Sequence, residues 1–295
     1  MRTRLKVLAL PALVLALAPC WLVQTSAETH SFIWRATNRQ GAVYLVGSVH
    51  LLTKDFYPLD PVLETAYKDS TLLVEEVDMG EMLAPDAQMT LLTRGMLPSG
   101  QSLDTVVTPA TMTLVTQKVA ELGLPMEPLK QFKPWMLALQ LLGLEWLKAG
   151  FDADLGLDKH FYDLAKKDNK AVQGLETIAF QVAQFDGMPM DEQDHLLSES
   201  LKELDTEQAS VTALAEAWKA GDAPAVEHFV LQDLESDRLM YQRLLVDRNR
   251  TWLPKIEALF ARPGRTFIVV GAAHLVGPDG LLQMLIARGY RVEQM

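Results

Sequence analysis

Strand-forming runs lie towards the two ends of this chain, and a long helical stretch separates them. The helical stretch covers about residues 82–260, where apolar residues recur with helical spacing between prolines and one brief strand-like run interrupts them at 171–175. The strand-like runs are short and apolar, and they are residues 31–36, 42–49, 71–77, 171–175, 266–270 and 290–292. The simplest fold that pairs such distant runs is an α/β fold. It has a central mixed sheet built from the N- and C-terminal segments and a large helical middle region.

The length of 295 residues allows one large domain or two small ones. No internal repeat, low-complexity tract or Gly/Ser-rich linker divides the chain. Completion of one sheet from both ends favours a single domain over residues 28–295, with a helical lobe at about 82–260. With 49% hydrophobic and 22% charged residues, the chain can bury a sizeable core, which excludes general disorder.

The first 27 residues have the pattern of a secretory signal peptide. Three basic residues precede an apolar run at 7–23, and Thr25-Ser26-Ala27 supplies the small residues of a cleavage site. We therefore expect cleavage after about Ala27, a periplasmic or secreted protein, and no stable membrane span afterwards. The alternatives are an uncleaved anchor, for which the run is short, and a lipid on Cys20, which Pro19 directly before it disfavours.

Charge and cysteine content exclude several classes of function. The net charge of −11 is unfavourable for binding nucleic acid or anionic lipid, since both depend on basic side chains. Cys20 is the only cysteine, so the chain has no intrachain disulfide and no site built from several cysteines. The sequence also lacks a Gly-x-Ser-x-Gly elbow, a phosphate-binding glycine loop and a His-Glu-x-x-His helix.

Two distant segments share one pattern, an apolar strand followed by Gly-x-x-His-Leu. The first ends in Gly47-Ser48-Val49-His50 and the second in Gly271-Ala272-Ala273-His274. Each histidine comes just after a strand, and open sheets bind ligands beyond the carboxyl ends of their strands. The alternative is that both histidines are structural residues with satisfied hydrogen bonds.

A third strand-like run ends in Glu75-Glu76-Val77-Asp78. Side chains alternate along a strand, so Glu75 and Glu76 point to opposite faces and only one of them faces a given site. Two imidazoles and a carboxylate form a common open metal site. The residues themselves therefore predict a site of His50, His274 and one of the two glutamates.

Motifs along most of the chain resemble those of the TraB/GumN family of bacterial proteins, relatives of the Tiki proteases. The resemblance covers about residues 32–295. Its markers are Gly47-Ser48-Val49-His50 with Tyr57-Pro58-Leu59, Val74-Glu75-Glu76-Val77-Asp78, Gly156-Leu157-Asp158, Gly174-Leu175-Glu176-Thr177 with Gln181, Arg248-Asn249 with Trp252, and Gly271-Ala272-Ala273-His274-Leu275 with Gly280-Leu281 and Gly289-Tyr290.

This resemblance implies a Tiki-like α/β fold of the erythromycin-esterase and ChaN type. It also implies a metal-dependent protease that uses paired Gly-x-x-His motifs and a glutamate, with manganese or cobalt as activating metals. His50 and His274 match the two histidines. Glu76 matches the glutamate best because Glu76-Val77-Asp78 keeps the family's Glu-x-Asp spacing, and Glu75 is the alternative.

Three further residues are candidates for the same site. Asp158, at a helix start, could accept a hydrogen bond from a ligand histidine. Alternatively, it is a first-turn acid that only interacts favourably with the positive end of the helix dipole. Glu176 follows a short strand and could be a ligand, a general base or a helix-start residue. Arg248 could hold a substrate carboxylate or orient one of the acids. Gln181 is expected to be structural, and Asn249 to hydrogen-bond a loop.

We therefore expect a periplasmic metal-dependent hydrolase, peptidase-like, acting on a peptide or small molecule. His50, His274 and Glu76 would hold a divalent metal (manganese, cobalt, zinc or iron), with Glu75 or Glu176 as general base and Arg248 steadying the substrate or oxyanion. The alternatives are a non-enzymatic haem- or metal-binding protein and a scaffold or interaction protein on the same fold.

Overall fold

The computed structural model describes residues 30–203 and 207–295. The expected signal peptide at 1–27 and Cys20 lie outside these residues. Across the described ranges, the helices are all too short or too polar to cross a bilayer.

The described residues contain a six-stranded mixed sheet, as the sequence predicts. Its strands are β1 Ile33–Thr37, β2 Ala42–Ser48, β3 Ser70–Val77, β4 Ala171–Glu176, β5 Arg265–Gly271 and β6 Arg291–Gln294. The spatial order is β4-β3-β5-β2-β1-β6. Strands β4, β3, β5 and β2 are parallel to one another, while β1 is antiparallel to both β2 and β6. The mixed α/β class predicted from the sequence is confirmed.

The central parallel strands are continuous apolar runs because helices cover both of their faces. Leu45, Leu73, Ile268 and Val269 are completely buried. This pattern is typical of strands in the middle of a parallel sheet, whereas a strand with one wet face would alternate apolar and polar residues.

Helices fill the chain between the strands. They are α1 Pro61–Lys68, α2 Met79–Met82, α3 Pro85–Gly95, α4 Leu103–Val106, α5 Pro109–Glu121, α6 Met126–Leu129, α7 Pro134–Lys148, α8 Leu157–Lys167, α9 Ile178–Asp186, α10 Met190–Glu203, α11 Glu207–Lys219, α12 Ala223–Ser236, α13 Arg238–Tyr241, α14 Asp247–Leu259 and α15 Leu281–Ala287. A π-helical turn, Gln242–Val246, joins α13 to α14.

Helices α8 and α14 pack on opposite faces of the sheet. On the α8 face, the ring of Phe161 lies 4.6 Å from that of Phe267 on β5, measured between centroids. Strand pairing puts Glu75 on the same face as Phe267, since Glu75 pairs with Val269, two residues further along β5. Glu76 therefore points to the other face, towards α14.

The four parallel strands end at the same edge of the sheet. His50 follows β2 and His274 follows β5, while Glu76 and Glu176 lie in the last two residues of β3 and β4. Side chains that are far apart in the sequence thus meet at the edge where open α/β sheets bind their ligands.

Candidate functional site

His50 is held through one ring nitrogen and open at the other. Its Nδ1 donates to Oδ2 of Asp158 at 2.9 Å, and the other oxygen of Asp158 accepts from the hydroxyl of Ser48 at 2.9 Å. The charge of Asp158 raises the pKa of His50 to about 9. The His50 side chain is 62% exposed, so its Nε2 can meet a ligand from solvent.

The start of α8 is docked onto the loop that carries His50. The backbone N–H of Leu157 donates to the carbonyl of Val49 at 3.2 Å. Gly156 lies so close that an added Cβ would be 2.1 Å from the carbonyl oxygen of His50. The Gly156-Leu157-Asp158 motif therefore positions Asp158: the glycine permits the close approach, and the next residues fix the helix start beside His50.

His274 is buried, and its hydrogen bonds define its tautomer. The amide nitrogen of Asn249 donates to the carbonyls of His274 and Asp279, at 3.2 and 2.9 Å, so its Oδ1 must accept. That oxygen lies 2.7 Å from Nδ1 of His274, which therefore carries the proton. Nε2 of His274 accepts from Nη1 of Arg248 at 3.0 Å. Burial lowers the pKa of His274 to about 3, so the ring is neutral.

Glu76 is a buried carboxylate with four neighbours. Its Oε1 accepts from the backbone N–H of Gly271 at 2.8 Å and lies 3.7 Å from Nε2 of His274. Its Oε2 accepts from Arg248 at 2.5 Å and from Gln181 at 3.2 Å. Burial alone would raise the pKa of Glu76, but the surrounding positive charge and the Gly271 N–H outweigh it and lower the pKa to about 2.

Gly271 marks the point on which the three predicted ligands converge. A Cβ added there would lie 3.2 Å from Oε1 of Glu76, 3.6 Å from Nε2 of His50 and 3.7 Å from Cδ2 of His274. The backbone of Gly271 has φ −49°, which any residue can adopt. Glycine therefore matters here for space: it leaves a small cradle between two imidazoles and a carboxylate, which a Cβ would fill.

Arg248 links this cradle to a second buried carboxylate, Glu176. Its Nε donates to both oxygens of Glu176 at 3.2 Å, and its Nη2 donates to Glu176 at 2.8 Å. The indole of Trp252 donates to Glu176 at 2.9 Å and lies under the guanidinium, 4.6 Å from ring centre to Cζ. Burial raises the pKa of Glu176, and the contacts with Arg248 oppose that rise.

Glu75 lies apart from this cluster, on the α8 face. Its Oε2 accepts from the backbone N–H of Met79 at 3.1 Å, and its Oε1 is buried without a hydrogen-bond partner. Burial raises the pKa of Glu75 to about 8. Of the two adjacent glutamates that the sequence leaves open, Glu76 is the one beside His274 and Arg248.

Gln181 and Asn249 contribute more than the sequence suggests. Gln181 bonds Glu76 directly, and Asn249 fixes the ring of His274 as well as the loop after it. Both occur beside the motif residues Glu176 and Arg248, but nothing in their local pattern says which side chain they reach. The identity of their partners depends on the packing of α9 and α14 against the sheet.

The side chains at the cradle are of the types that bind divalent cations, but their arrangement does not hold one. Each histidine donates its Nδ1–H to an oxygen and keeps Nε2 for the cradle, which is how protein ligands to metals are usually oriented. However, Arg248 already occupies Nε2 of His274. In the arrangement described for 30–203 and 207–295, no three His, Cys, Asp or Glu side chains are close enough together to hold an ion. Binding would require the guanidinium to move away from His274 and the three side chains to move closer together.

Comparison with known proteins identifies relatives of this chain. The chain is 26% identical over 242 residues to the uncharacterized protein YbaP of Escherichia coli K12, across 82% of this chain and 87% of YbaP. YbaP of Shigella flexneri matches to the same extent. No solved structure gives a significant match. The model of the TraB/PrgY/gumN family matches residues 32–294, and the chain therefore belongs to that family.

Proposed function

We propose that this protein is a metal-dependent hydrolase, peptidase-like, in which His50, His274 and Glu76 hold a divalent metal at the cradle beside Gly271. The observation that carries the proposal is the convergence of these side chains, from three different strands, on one point. The likeness of the motifs to those of the Tiki proteases supports the reaction class. Manganese, cobalt, zinc and iron are the candidate metals.

The chain's own hydrogen bonds prepare the two imidazoles for this role. Asp158 holds Nδ1–H of His50 and Asn249 holds Nδ1–H of His274, so Nε2 is the atom that each ring turns to a ligand. Nε2 of His274 has a lone pair, whereas Nε2 of His50, whose pKa is about 9, gives up a proton when a metal binds. The Gly271 N–H fixes the carboxylate of Glu76. A divalent metal bound there would supply Lewis acidity, polarising a carbonyl and making water acidic near neutral pH.

Arg248 and Glu176 would bind and orient the substrate and move its proton. Arg248 borders the cradle through Glu76 and His274, so on leaving His274 it can donate to a substrate carboxylate or to a developing oxyanion. Glu176, whose pKa burial raises, is the carboxylate suited to accept a proton. Glu75, the other candidate base, lies on the opposite face of the sheet and is not part of this proposal.

Elemental analysis tests the site before any activity assay. Residues 28–295, the expected mature chain, are purified without chelator and compared with the His50→Ala/His274→Ala double variant. The control is His195→Ala, because His195 is exposed and lies outside the cluster. The proposal expects about one equivalent of metal in the wild type and in His195→Ala, and none in the folded double variant. Metal-loaded wild type should then cleave members of a peptide library.

Two results would reject the proposal. One is equal metal content in the double variant and the wild type. The other is the absence of metal in all three proteins after soaking with manganese, cobalt, zinc and iron. Metal binding without cleavage of any library peptide would leave a binding protein in place of an enzyme.

The contacts of Arg248 favour a second candidate function, a non-enzymatic binding or scaffold protein. In this arrangement Arg248 satisfies Glu76, Glu176 and His274 without any ligand. A haem-binding form predicts a Soret band on haem addition that His50→Ala abolishes. A scaffold protein would bind neither haem nor metal. Substitutions in the cluster would then lower the stability of the protein and change no binding.

A further inference from the structure

A groove of about 1000 Å³ lies in the helical region, apart from the cluster at the sheet edge. Helices α7, α9, α10, α12 and α13 and the π-helical turn form its walls. Its apolar lining, called the floor below, includes Leu139, Leu142, Phe185, Phe229, Met240 and Leu244. A concave apolar space of this size is typical of ligand sites in proteins.

Two helical segments run from this groove to the cluster. On α9, Phe185 lines the groove, and Gln181, one turn earlier, donates to Glu76. Residues four apart on a helix lie on the same side, so the groove and Glu76 border the same side of α9. Phe185, one residue of the groove, therefore lies about one helical turn from a side chain that contacts the cluster.

The second connection passes through the π-helical turn before α14. Leu244 in this turn lines the groove, and its carbonyl accepts from Nη1 of Arg248 at 3.1 Å. The same Nη1 reaches Nε2 of His274. Turns of π-helix are rare and often occur at functional sites. One residue, Leu244, thus contacts both the groove and the arginine of the cluster.

The charged side chains that line the groove, called its rim below, are mostly acidic. Asp191, Glu192, Glu199 and Asp237 line it, with the basic side chains Arg238 and His195. Glu199 pairs with Lys202 at 2.6 Å. Glu192 pairs with Arg243 at 3.8 Å. The acidic character therefore rests mainly on Asp191 and Asp237. The whole chain carries a net charge of −11, so its field also favours positively charged ligands. An apolar floor under an acidic rim is complementary to a peptide that carries both apolar and basic side chains.

We infer that this groove binds a peptide segment in which leucine-like side chains alternate with lysine or arginine, and that it leads the bond to be cut towards Arg248 and Glu76. The inference rests on the proposed hydrolase and names its class of substrate. Apolar side chains enter the floor, while basic side chains meet the rim. The segment continues past Phe185 and Leu244 to the sheet edge.

Binding of labelled peptides tests the groove separately from catalysis. Fluorescence anisotropy is recorded with a short peptide of alternating leucine and lysine, with its leucine and glutamate counterpart, and with its serine and lysine counterpart. The full mature chain is used as wild type and as His50→Ala/His274→Ala, which prevents turnover. Thermal melting establishes that each variant is folded.

Matched variants separate the groove from the rest of the surface. Leu139→Arg fills the groove, whereas Leu147→Arg changes another exposed leucine of α7 outside it. Asp191→Lys reverses one rim charge, and Asp154→Lys reverses an exposed charge elsewhere. Only the leucine and lysine peptide should bind well, with Kd raised about tenfold by Leu139→Arg or Asp191→Lys and unchanged by the two controls.

Equal affinity of Leu139→Arg and Leu147→Arg, or equal binding of the lysine and glutamate peptides, would overturn the inference. Groove-dependent binding of a peptide that metal-loaded wild type never cleaves would reject the hydrolase and keep the groove. Cleavage that Leu139→Arg leaves unchanged would reject the groove and keep the hydrolase.

Discussion

Nη1 of Arg248 lies 3.0 Å from Nε2 of His274, and Nη2 of the same guanidinium bridges Glu76 and Glu176. One buried cation is thus shared by two buried carboxylates. It also donates to the acceptor nitrogen of a neutral imidazole. Removal of one partner from a buried ion network leaves uncompensated charge, which costs more than the interaction itself contributes.

Replacement of Arg248 should therefore be strongly destabilising. Arg248→Met should lower the free energy of unfolding by about 3–5 kcal/mol, measured by urea denaturation at pH 7. Arg250→Met is the matched control, since Arg250 is exposed on the same helix, and it should change stability by less than about 0.5 kcal/mol. A loss below 1 kcal/mol in Arg248→Met would show that the carboxylates do not depend on this arginine.

Replacement of Asp158 should change the titration of His50. Because the charge of Asp158 raises the pKa of His50 to about 9, Asp158→Asn should return it towards 6.5, as followed by NMR of the imidazole protons. His195 in the same spectra is the internal control. The sign for stability follows: the contribution of His50 is complete below pH 6.5 and is lost as the pH rises through 9. An unchanged titration in Asp158→Asn would contradict this pairing.

Replacement of Glu75 should stabilise the protein in a pH-dependent way. The pKa of Glu75 is about 8 in the folded protein, above its ordinary value of 4.5. Between pH 4.5 and pH 8, the carboxyl is therefore protonated in the folded state and ionised in the unfolded state. Stability of the wild type should fall there by up to about 1.4 kcal/mol per pH unit. Glu75→Gln should remove this loss, and its advantage in melting temperature should grow from pH 4.5 to 8.

The exposed Glu81 supplies the control for that experiment. Glu81→Gln should give the same pH profile as the wild type. A constant difference between Glu75→Gln and the wild type across this range would mean that Glu75 titrates normally in the folded protein.

A methyl group at Gly271 should block the cradle. Gly271→Ala places Cβ 3.2 Å from Oε1 of Glu76, so binding of manganese or zinc by calorimetry should weaken at least about tenfold. Crowding should cost about 1–3 kcal/mol of stability. Gly143→Ala, in the open middle of α7, should gain about 0.5–1 kcal/mol instead. Unchanged metal affinity in Gly271→Ala would place any metal elsewhere.

The strands were predictable because their patterns are local. Apolar runs at 42–49 and 266–270 show two central strands, and the two Gly-x-x-His segments show where these strands end. Pairing of β2 with β5 then brings Gly47 opposite Val270, so the two motifs come to the same edge. The sequence therefore predicts that the two motifs meet, provided that the two strands pair in parallel.

The detailed contacts were not predictable for a physical reason. Alternation shows that Glu75 and Glu76 point apart, but only the packing of α14 decides that Glu76 meets Arg248. Arg248 could equally have faced a substrate, because its spacing on the helix does not reveal that it reaches His274. Such contacts depend on how helices distant in sequence dock on the sheet.

The position of β5 has a consequence for the order of folding. It lies between β3 and β2 and is the only described link between the β4-β3 pair and the β2-β1-β6 group. Yet β5 begins only at Arg265, whereas β3 ends at Val77. Until β5 has been synthesised, β2 and β3 each expose an apolar edge that has no neighbour, so the nascent chain needs protection from aggregation through the whole helical region.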